Sequence, residues 1–298
     1  MIYAYPDYYG EFKCIADRCR HNCCIGWEID IDEASLEKYR SAEGGLGDEL
    51  RERILIDGGP HFELCENDRC PFLNGENLCR LIMEKGEDFL CDICRDHPRV
   101  RSYLPGRTEI GLGLSCEEAA RLIITRKAPF AVVETGTDEG DEETENIVSG
   151  RKELLDIVTD RSIDINDRMK KLQELYEPLP EKSPAQWAEF FLSLERMDEK
   201  WTARLEKLGE CDAFNVPNTT EFEQLLAYFL YRHVPECYED FESESKILFA
   251  VLSVQIIAAL FGKSGGTVEE LIDIARAYSA EIEYSDENPQ KIYDELMR

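Results

Sequence analysis

The sequence predicts a mainly α protein, in which a cysteine-rich metal-binding N-terminal region with short helices and few strands precedes an α-helical domain. Three observations carry that expectation. Ten of the twelve cysteines lie between Cys14 and Cys116, and they fall into two groups. Residues 134–146 are acidic and almost devoid of apolar side chains, as a solvated linker would be. From residue 151 onward, apolar residues recur at helical spacing to the end of the chain. The expected boundaries are therefore 1–127 for the cysteine-rich region, 128–150 for an acidic linker or loop, and 151–298 for the helical domain.

In chain order, residues 1–13 are aromatic-rich (Tyr3, Tyr5, Tyr8, Tyr9, Phe12) and suited to packing over the first thiol group. That group, Cys14-x4-Cys19-x3-Cys23-Cys24, reads as a loop, because ligands must converge on one point. Residues 27–32 alternate apolar and acidic side chains, predicting a short strand or extended segment. Asp32 is a good N-cap for a helix over 33–40. Glycines break that helix, a second is expected over 48–56, and Gly58-Gly59-Pro60 makes a turn. The second thiol group comprises Cys65, Cys70-Pro71-Phe72-Leu73, Cys79 and Cys91-x2-Cys94-Arg95. Within it residues 80–86 have helical character and a glycine stop. His97 precedes a proline and so must leave any helix. Ser115, with Glu118 three residues on, has the capping-box pattern for a helix reaching Arg126.

Past the linker, helices are expected over 151–159, 166–177, 185–208, 220–232, 243–261, 268–284 and 289–297. Ser183-Pro184 places proline near a helix start, where its missing N–H costs little. Residues 247–262 are apolar except Ser253 and Gln255, but sixteen residues fall short of the roughly 20 that span a bilayer. A buried central helix is expected there, and no membrane.

A chain of 298 residues can bury a core without covalent staples, so dense disulfides lose their usual motive. The N-terminal residues show neither a basic nor an apolar signal segment, which points to a cytoplasmic protein with reduced thiols. Lys plus Arg number 34 against 63 Asp plus Glu, a formal charge of −29. Nucleic-acid binding needs arrays of cations facing phosphates and is disfavoured. Such acidity keeps a protein soluble, and it also steers basic partners toward it.

Crowded thiols have three explanations: disulfides, a bound metal or cluster, or a redox pair. Structural zinc takes four ligands, and Cys91-x2-Cys94 supplies a suitable half site. Cys70 and Cys79 are oddly spaced for the other half, whereas an iron–sulfur cluster accepts scattered thiolates. Zinc and iron–sulfur both remain open, as does one centre or two. The candidate ligands are Cys14, Cys19, Cys23, Cys24, Cys70, Cys79, Cys91 and Cys94. The lone thiols Cys65, Cys116, Cys211 and Cys237 read as small buried hydrophobes. Arg95, Arg99, Arg101 and Arg107 form a basic island in an acidic chain. Arg95 and Arg99, closest to Cys94, are candidates for contacting a bound cofactor, against ordinary ion pairing with Asp92, Asp96 and Glu109.

Several of these motifs together resemble the flagellin lysine-N-methylase family (FliB type), within the cysteine-cluster proteins described as zinc- or iron-chelating. They are Phe12-Lys13-Cys14-Ile15, Cys19-x3-Cys23-Cys24-x-Gly26-Trp27-x-Ile29-Asp30-Ile31-Asp32, Cys70-Pro71-Phe72-Leu73, Leu78-Cys79 and Leu90-Cys91-x2-Cys94-Arg95-x2-Pro98-Arg99. Leu114-Ser115-Cys116-x2-Ala119-Ala120-Arg121-Leu122 and Tyr228-Phe229-Leu230-Tyr231-Arg232-His233 continue the likeness. The resemblance implies methyl transfer from S-adenosylmethionine to flagellin lysines, with a [4Fe-4S] cluster held by the cysteine region. A lysine that accepts a methyl must first lose its proton, for which His97, His21, tyrosines or carboxylates are candidate bases. No catalytic residue is singled out. The rival expectation is a non-catalytic zinc- or iron–sulfur-binding protein.

Overall fold

In a computed structural model of the chain, which describes residues 1–138, 140–175, 180–240 and 242–298, two compact units form. One is Lys13–Pro98; the other combines Met1–Phe12 with Arg99–Arg298. The first strand, β1 (Ile2–Pro6), belongs to the second unit.

The smaller unit contains α1 (Glu33–Arg40), α2 (Gly45–Arg53), the strand pair β2 (Ile54–Leu55) and β3 (His61–Phe62), α3 (Arg80–Lys85) and α4 (Asp92–Asp96). Asp32 caps α1 as its sequence position demands, accepting from Ser35 N. Residues 27–32 form no ladder beyond a single Asp30–His61 bridge, but their alternation still buries Ile29 and Ile31. Gly58 and Gly59 turn the chain at φ +81° and +130°, values that favour glycine. The core holds Ile29, Ile31, Leu36, Tyr39, Leu50, Phe62, Phe72 and Leu81, together with buried Cys70 and Cys91.

The larger unit carries a four-stranded sheet that the sequence reading did not anticipate. Its strands are β1, β4 (Arg99–Leu104), β5 (Arg107–Leu112) and β6 (Val132–Thr135), in the order β4-β5-β1-β6. β4 and β5 are antiparallel, with Pro105 and Gly106 (φ +70°) turning between them. β1 pairs parallel to β5 and antiparallel to β6. Next comes α5 (Glu117–Thr125). Its expected capping box does not form: Cys116 occupies the cap position, the Ser115 hydroxyl is buried without a partner, and Glu118 binds Arg121 instead.

The acidic stretch is not where the chain divides. It supplies β6 and then opens α6 (Glu142–Thr159), where Asp141 accepts from Thr144 N and Glu142, Glu143 and Glu145 line the first turn. Carboxylates are stabilised beside the unpaired N–H groups of a helix start, so acidity here favours helix over linker. α7 (Ile165–Glu174) follows; residues 176 and 177 of the helix expected over 166–177 lie outside the described residues. The single helix expected over 185–208 is two, α8 (Pro184–Ser193) and α9 (Glu199–Gly209). The break is fixed by Glu281, whose carboxylate accepts from Met197 N and Asp198 N at 2.8 and 2.9 Å.

α10 (Thr220–His233), α11 (Cys237–Asp240), α12 (Ser243–Gly262), α13 (Val268–Tyr278) and α14 (Asn288–Leu296) complete the unit. α13 runs on as a π-helical turn over Ser279–Glu283. α12 is long and apolar enough to cross a membrane, yet its side chains are buried almost all round by α10, α13, α14 and α9. A helix that is apolar on every side belongs inside a core. α10 bridges it to the sheet: Tyr231 Oη donates to the carbonyls of Ala4 and Ile110 at 3.0 and 3.2 Å.

Candidate metal centre

Nine of the twelve cysteines fall in the Lys13–Pro98 unit, and all twelve are thiols rather than half-cystines. Local folding brings a subset together. Cys70 N donates to the Cys24 carbonyl at 2.9 Å, beside the Ile25–Arg69 bridge. Cys79 faces Leu73 in a second bridge, and Arg80 N donates to Phe72 O at 2.8 Å. These contacts close the 70–80 loop on itself. Cys91 precedes α4 and Cys94 lies within it, with Arg95 N bonding back to Cys91 O. Cys70 and Cys91 are buried in the small core, and Cys24, Cys79 and Cys94 pack against the same core.

The sulfurs interact in pairs. Cys94 hydrogen-bonds Cys91, which lowers the Cys91 thiol to about 7, while Cys94 itself is pushed up by that bond and by burial. Cys23 and Cys24 repeat the pattern: the bond to Cys24 lowers Cys23, and the same bond, then burial, raises Cys24. Burial pushes Cys70 up to about 12 and raises Cys79. Like charges at Cys24, Cys70, Cys79 and Cys91 each oppose ionisation of a neighbour, so the five could all be thiolates only around a compensating cation.

Among the described residues, no three His, Cys, Asp or Glu side chains stand as a ready metal-binding group. The five sulfurs are soft donors bordering one apolar core, the donor type that a thiolate-bound centre uses, but they do not converge as a ligand set.

The remaining predicted ligands sit elsewhere. Cys14 is exposed, its sulfur accepting from Ala16 N at 3.4 Å, and half-buried Cys19 donates to His21 O at 3.3 Å. Neither joins the core that the five sulfurs share, nor does exposed Cys23, which reaches it only through its bond to Cys24. Cys65, expected to be buried, is exposed; Cys116 and Cys211 are half-buried, and Cys237 is buried. The candidate cofactor arginines have local partners. Arg95 pairs with Asp92 and Asp96, whereas Arg99 donates to Tyr9 Oη at 3.1 Å and lies over the Phe12 ring. Desolvation lowers His97 to about 4, so it is neutral at pH 7.

Three residues of α1 or its cap escaped the sequence reading of the site. Besides capping α1, Asp32 accepts from Asp92 N at 2.9 Å. Lys38 Nζ donates to the carbonyls of Asp88 and Leu90 at 3.1 and 3.2 Å. Tyr39 lies one residue further on, fully buried beside Cys91. A tyrosine on the apolar face of α1, three residues from Leu36, was legible as core; its hydroxyl still needing a partner was the available signal.

Open cavities of about 280 and 270 Å³ lie in the larger unit, one lined by Phe190, Leu194, Asp294 and Glu295 and the other by Arg204, Lys207, Lys263 and Asp273. No cysteine lines either one.

No family model matches the chain, and no solved structure matches it. Among curated proteins it is similar to the lysine-N-methylases of Salmonella choleraesuis (strain SC-B67) and Salmonella typhimurium, each 25% identical over 136 residues. The matched stretch is 43% of this chain and 34% of each relative, so the chain spans about a third of their length. It is also 24% identical to the flagellar biosynthetic protein FliU of Salmonella muenchen, over 43% of this chain and 80% of that protein. The similarity is therefore a distant one to lysine-N-methylases and a flagellar biosynthetic protein.

Proposed function

We propose that this chain is a protein-lysine N-methyltransferase whose Lys13–Pro98 unit binds an iron–sulfur cluster. In this reading S-adenosylmethionine is the methyl donor, flagellin is the substrate, and the reaction runs in the cytoplasm. The observation that carries it is the gathering of Cys24, Cys70, Cys79, Cys91 and Cys94 around one small core, in a chain similar to lysine-N-methylases. Four of those sulfurs would hold a [4Fe-4S] cluster, which supplies an electron-rich inorganic group able to engage a polar ligand.

The chemistry required of the protein is modest. A new N–C bond forms at the lysine nitrogen as the S–C bond breaks, and the electron pair leaves with the sulfur. The attacking amine must be neutral, so its proton must first pass to a base or to water. Desolvation lowers His97 to about 4, which leaves it neutral but too weak a base for a lysine ammonium, so the proton passes to water or to another group. The net negative charge of 29 favours encounter with lysine-bearing surfaces.

The test has two parts. Protein purified without oxygen is assayed for iron, sulfide and visible absorbance, and is then incubated with labelled S-adenosylmethionine and flagellin. Label on flagellin lysines is the expected result; iron-loaded protein that transfers no label sinks the enzymatic reading. A second reading, a non-catalytic zinc-binding protein, is favoured by the paired sulfurs of Cys91-x2-Cys94, half of a common zinc site. Zinc without iron or sulfide in the oxygen-free protein, together with no label on flagellin, would establish it.

A further inference from the structure

α8 begins with a complete capping box: the Ser183 hydroxyl accepts from Gln186 N, and the Gln186 side chain accepts from Ser183 N. The residue just ahead of such a cap ordinarily packs an apolar side chain on the fourth residue of the helix. Here those two residues are Lys182 and Trp187, so a cation stands where a hydrophobe is expected.

Three groups receive its ammonium. Lys182 Nζ lies over the Trp187 ring, 4.9 Å from the centroid, and over the Phe190 ring at 5.8 Å. The two rings are neighbours on one helix face, with centroids 5.8 Å apart and planes nearly perpendicular at 81°. Glu295 of α14 closes a third side through its ion pair with Lys182. Crossed aromatic faces attract an ammonium or a methylammonium through the ring quadrupole, and a carboxylate adds its full charge. Trp187 is only 1% exposed, with Lys182 lying over its face.

The notch opens beyond Lys182. The cavity of about 280 Å³ shares Phe190 and Glu295 with it and adds Leu194 and Asp294. Asp294 accepts from Gln290 Nε2 at 2.9 Å and has no cationic partner among the described residues. The cations at the rim, Lys291 and Arg298, are each paired already, with Glu287 and Glu295. A long cationic side chain entering here meets an apolar wall for its stem and a carboxylate for its head.

We propose that the notch formed by Trp187, Phe190 and Glu295 binds the side-chain ammonium of a lysine on another protein, methylated or not, and that Lys182 is its resident occupant, displaced when that lysine enters. The inference needs only ammonium recognition, so it stands or falls apart from whether the chain transfers methyl groups or holds a metal. A resident competitor weakens binding in the wild type, because apparent affinity falls in proportion to the fraction of molecules in which the notch is open.

The test uses N-acetyl-lysine methylamide and its trimethylated form as probes. Each is titrated calorimetrically into the full chain, wild type and Lys182→Ala, with circular dichroism as a folding control. The expected result is that Lys182→Ala binds at least one probe about tenfold more tightly than the wild type does. That gain should disappear when Phe190→Ala or Glu295→Gln is added, and the tighter probe names the form of lysine preferred. No gain, or a gain that survives both added substitutions, overturns the inference and leaves Lys182 a packing residue only. Should Lys182→Ala fail to fold, the wild type itself carries the test through carbon-13 labels at lysine Cε. The aromatic rings displace the Lys182 resonance, which is identified by its loss in Lys182→Arg. Movement of that resonance toward the free-lysine position as either probe is added upholds the inference. A resonance that stays in place up to the highest soluble concentration of both probes overturns it.

Discussion

His233 Nε2 lies 2.8 Å from Glu283 Oε1, with both side chains almost completely buried in the helical unit. Nδ1 of the same imidazole faces Glu236 at 3.0 Å and Tyr293 Oη at 3.2 Å, while Tyr228 and Arg232 also bind Glu283. The π-helical turn at the end of α13 places Glu283 at this point. Burial alone would discharge the imidazole, but Glu236 and Glu283 outweigh it and raise His233 above its usual value near 6.5. Burial likewise opposes charge on Glu283, yet Arg232 and His233 hold it below its usual 4.5.

The signs of these shifts define a pH window. The raised His233 contributes stability that is complete below pH 6.5 and is lost as pH rises through its folded-state value. The lowered Glu283 contributes stability that is present above pH 4.5 and is lost in acid. Urea unfolding followed from pH 5 to 9 should therefore show stability declining on the alkaline side. In His233→Gln, whose amide can still donate to Glu283, that decline should flatten by up to about 1.4 kcal/mol per pH unit. Identical slopes in the two proteins would mean that the imidazole is not charged in the fold.

Glu109 joins the sheet to α6. It is buried on β5 and accepts from Arg107 and from Arg151, whose guanidinium also lies over Tyr231 at 4.6 Å. Glu109→Ala leaves two buried cations without their shared anion and should destabilise by about 3–5 kcal/mol. Glu134 also pairs with Arg107 but is half exposed, so Glu134→Ala should cost about 1 kcal/mol or less. Denaturant midpoints of the two variants decide the matter, and comparable losses would refute the asymmetry.

Glu109 also explains why the sheet escaped sequence reading. β5 buries Arg107, Thr108 and Glu109 in succession, so the apolar alternation that marks a half-buried strand is absent. The parallel pairing of Ile2 with Arg107 joins residues that no local pattern connects. The Pro105-Gly106 turn was the one local cue. α1 was legible because everything that starts it lies within a few residues of Asp32. The thiols fall between these cases. Their grouping is plain in the sequence, but which of them share a core depends on how the loop after Cys70 folds back, as Arg80 N meeting Phe72 O illustrates. Spacing could not separate Cys14, Cys19 and Cys23 from the five that gather.

That separation predicts a pattern of metal uptake. Cys70→Ser and Cys91→Ser should each lower iron per chain severalfold in oxygen-free protein, because each removes a sulfur at the centre of the small core. Cys116→Ser and Cys211→Ser, in the other unit, should retain wild-type iron. Iron content with circular dichroism as a folding control checks this, and equal loss across all four variants would contradict it.

The small core also depends on one glycine. A Cβ at Gly47 in α2 would meet the Ala42 carbonyl oxygen at 2.0 Å and its carbon at 2.6 Å. Both are backbone atoms, so no side chain can swing aside to make room. Gly47→Ala should therefore displace α2 from the loop before it and destabilise the smaller unit by about 1–3 kcal/mol. Ala42, Leu46 and Leu50 all border the core that carries the sulfurs, so iron loading should fall in the same variant. Gly45, two residues earlier, has nothing within 4 Å of an added methyl, and Gly45→Ala should be neutral or stabilising by up to about 1 kcal/mol. Thermal unfolding and iron content measured on both variants separate a packing effect from a general intolerance of α2 to substitution: losses of similar size in the two would assign the effect to the helix rather than to the Ala42 contact.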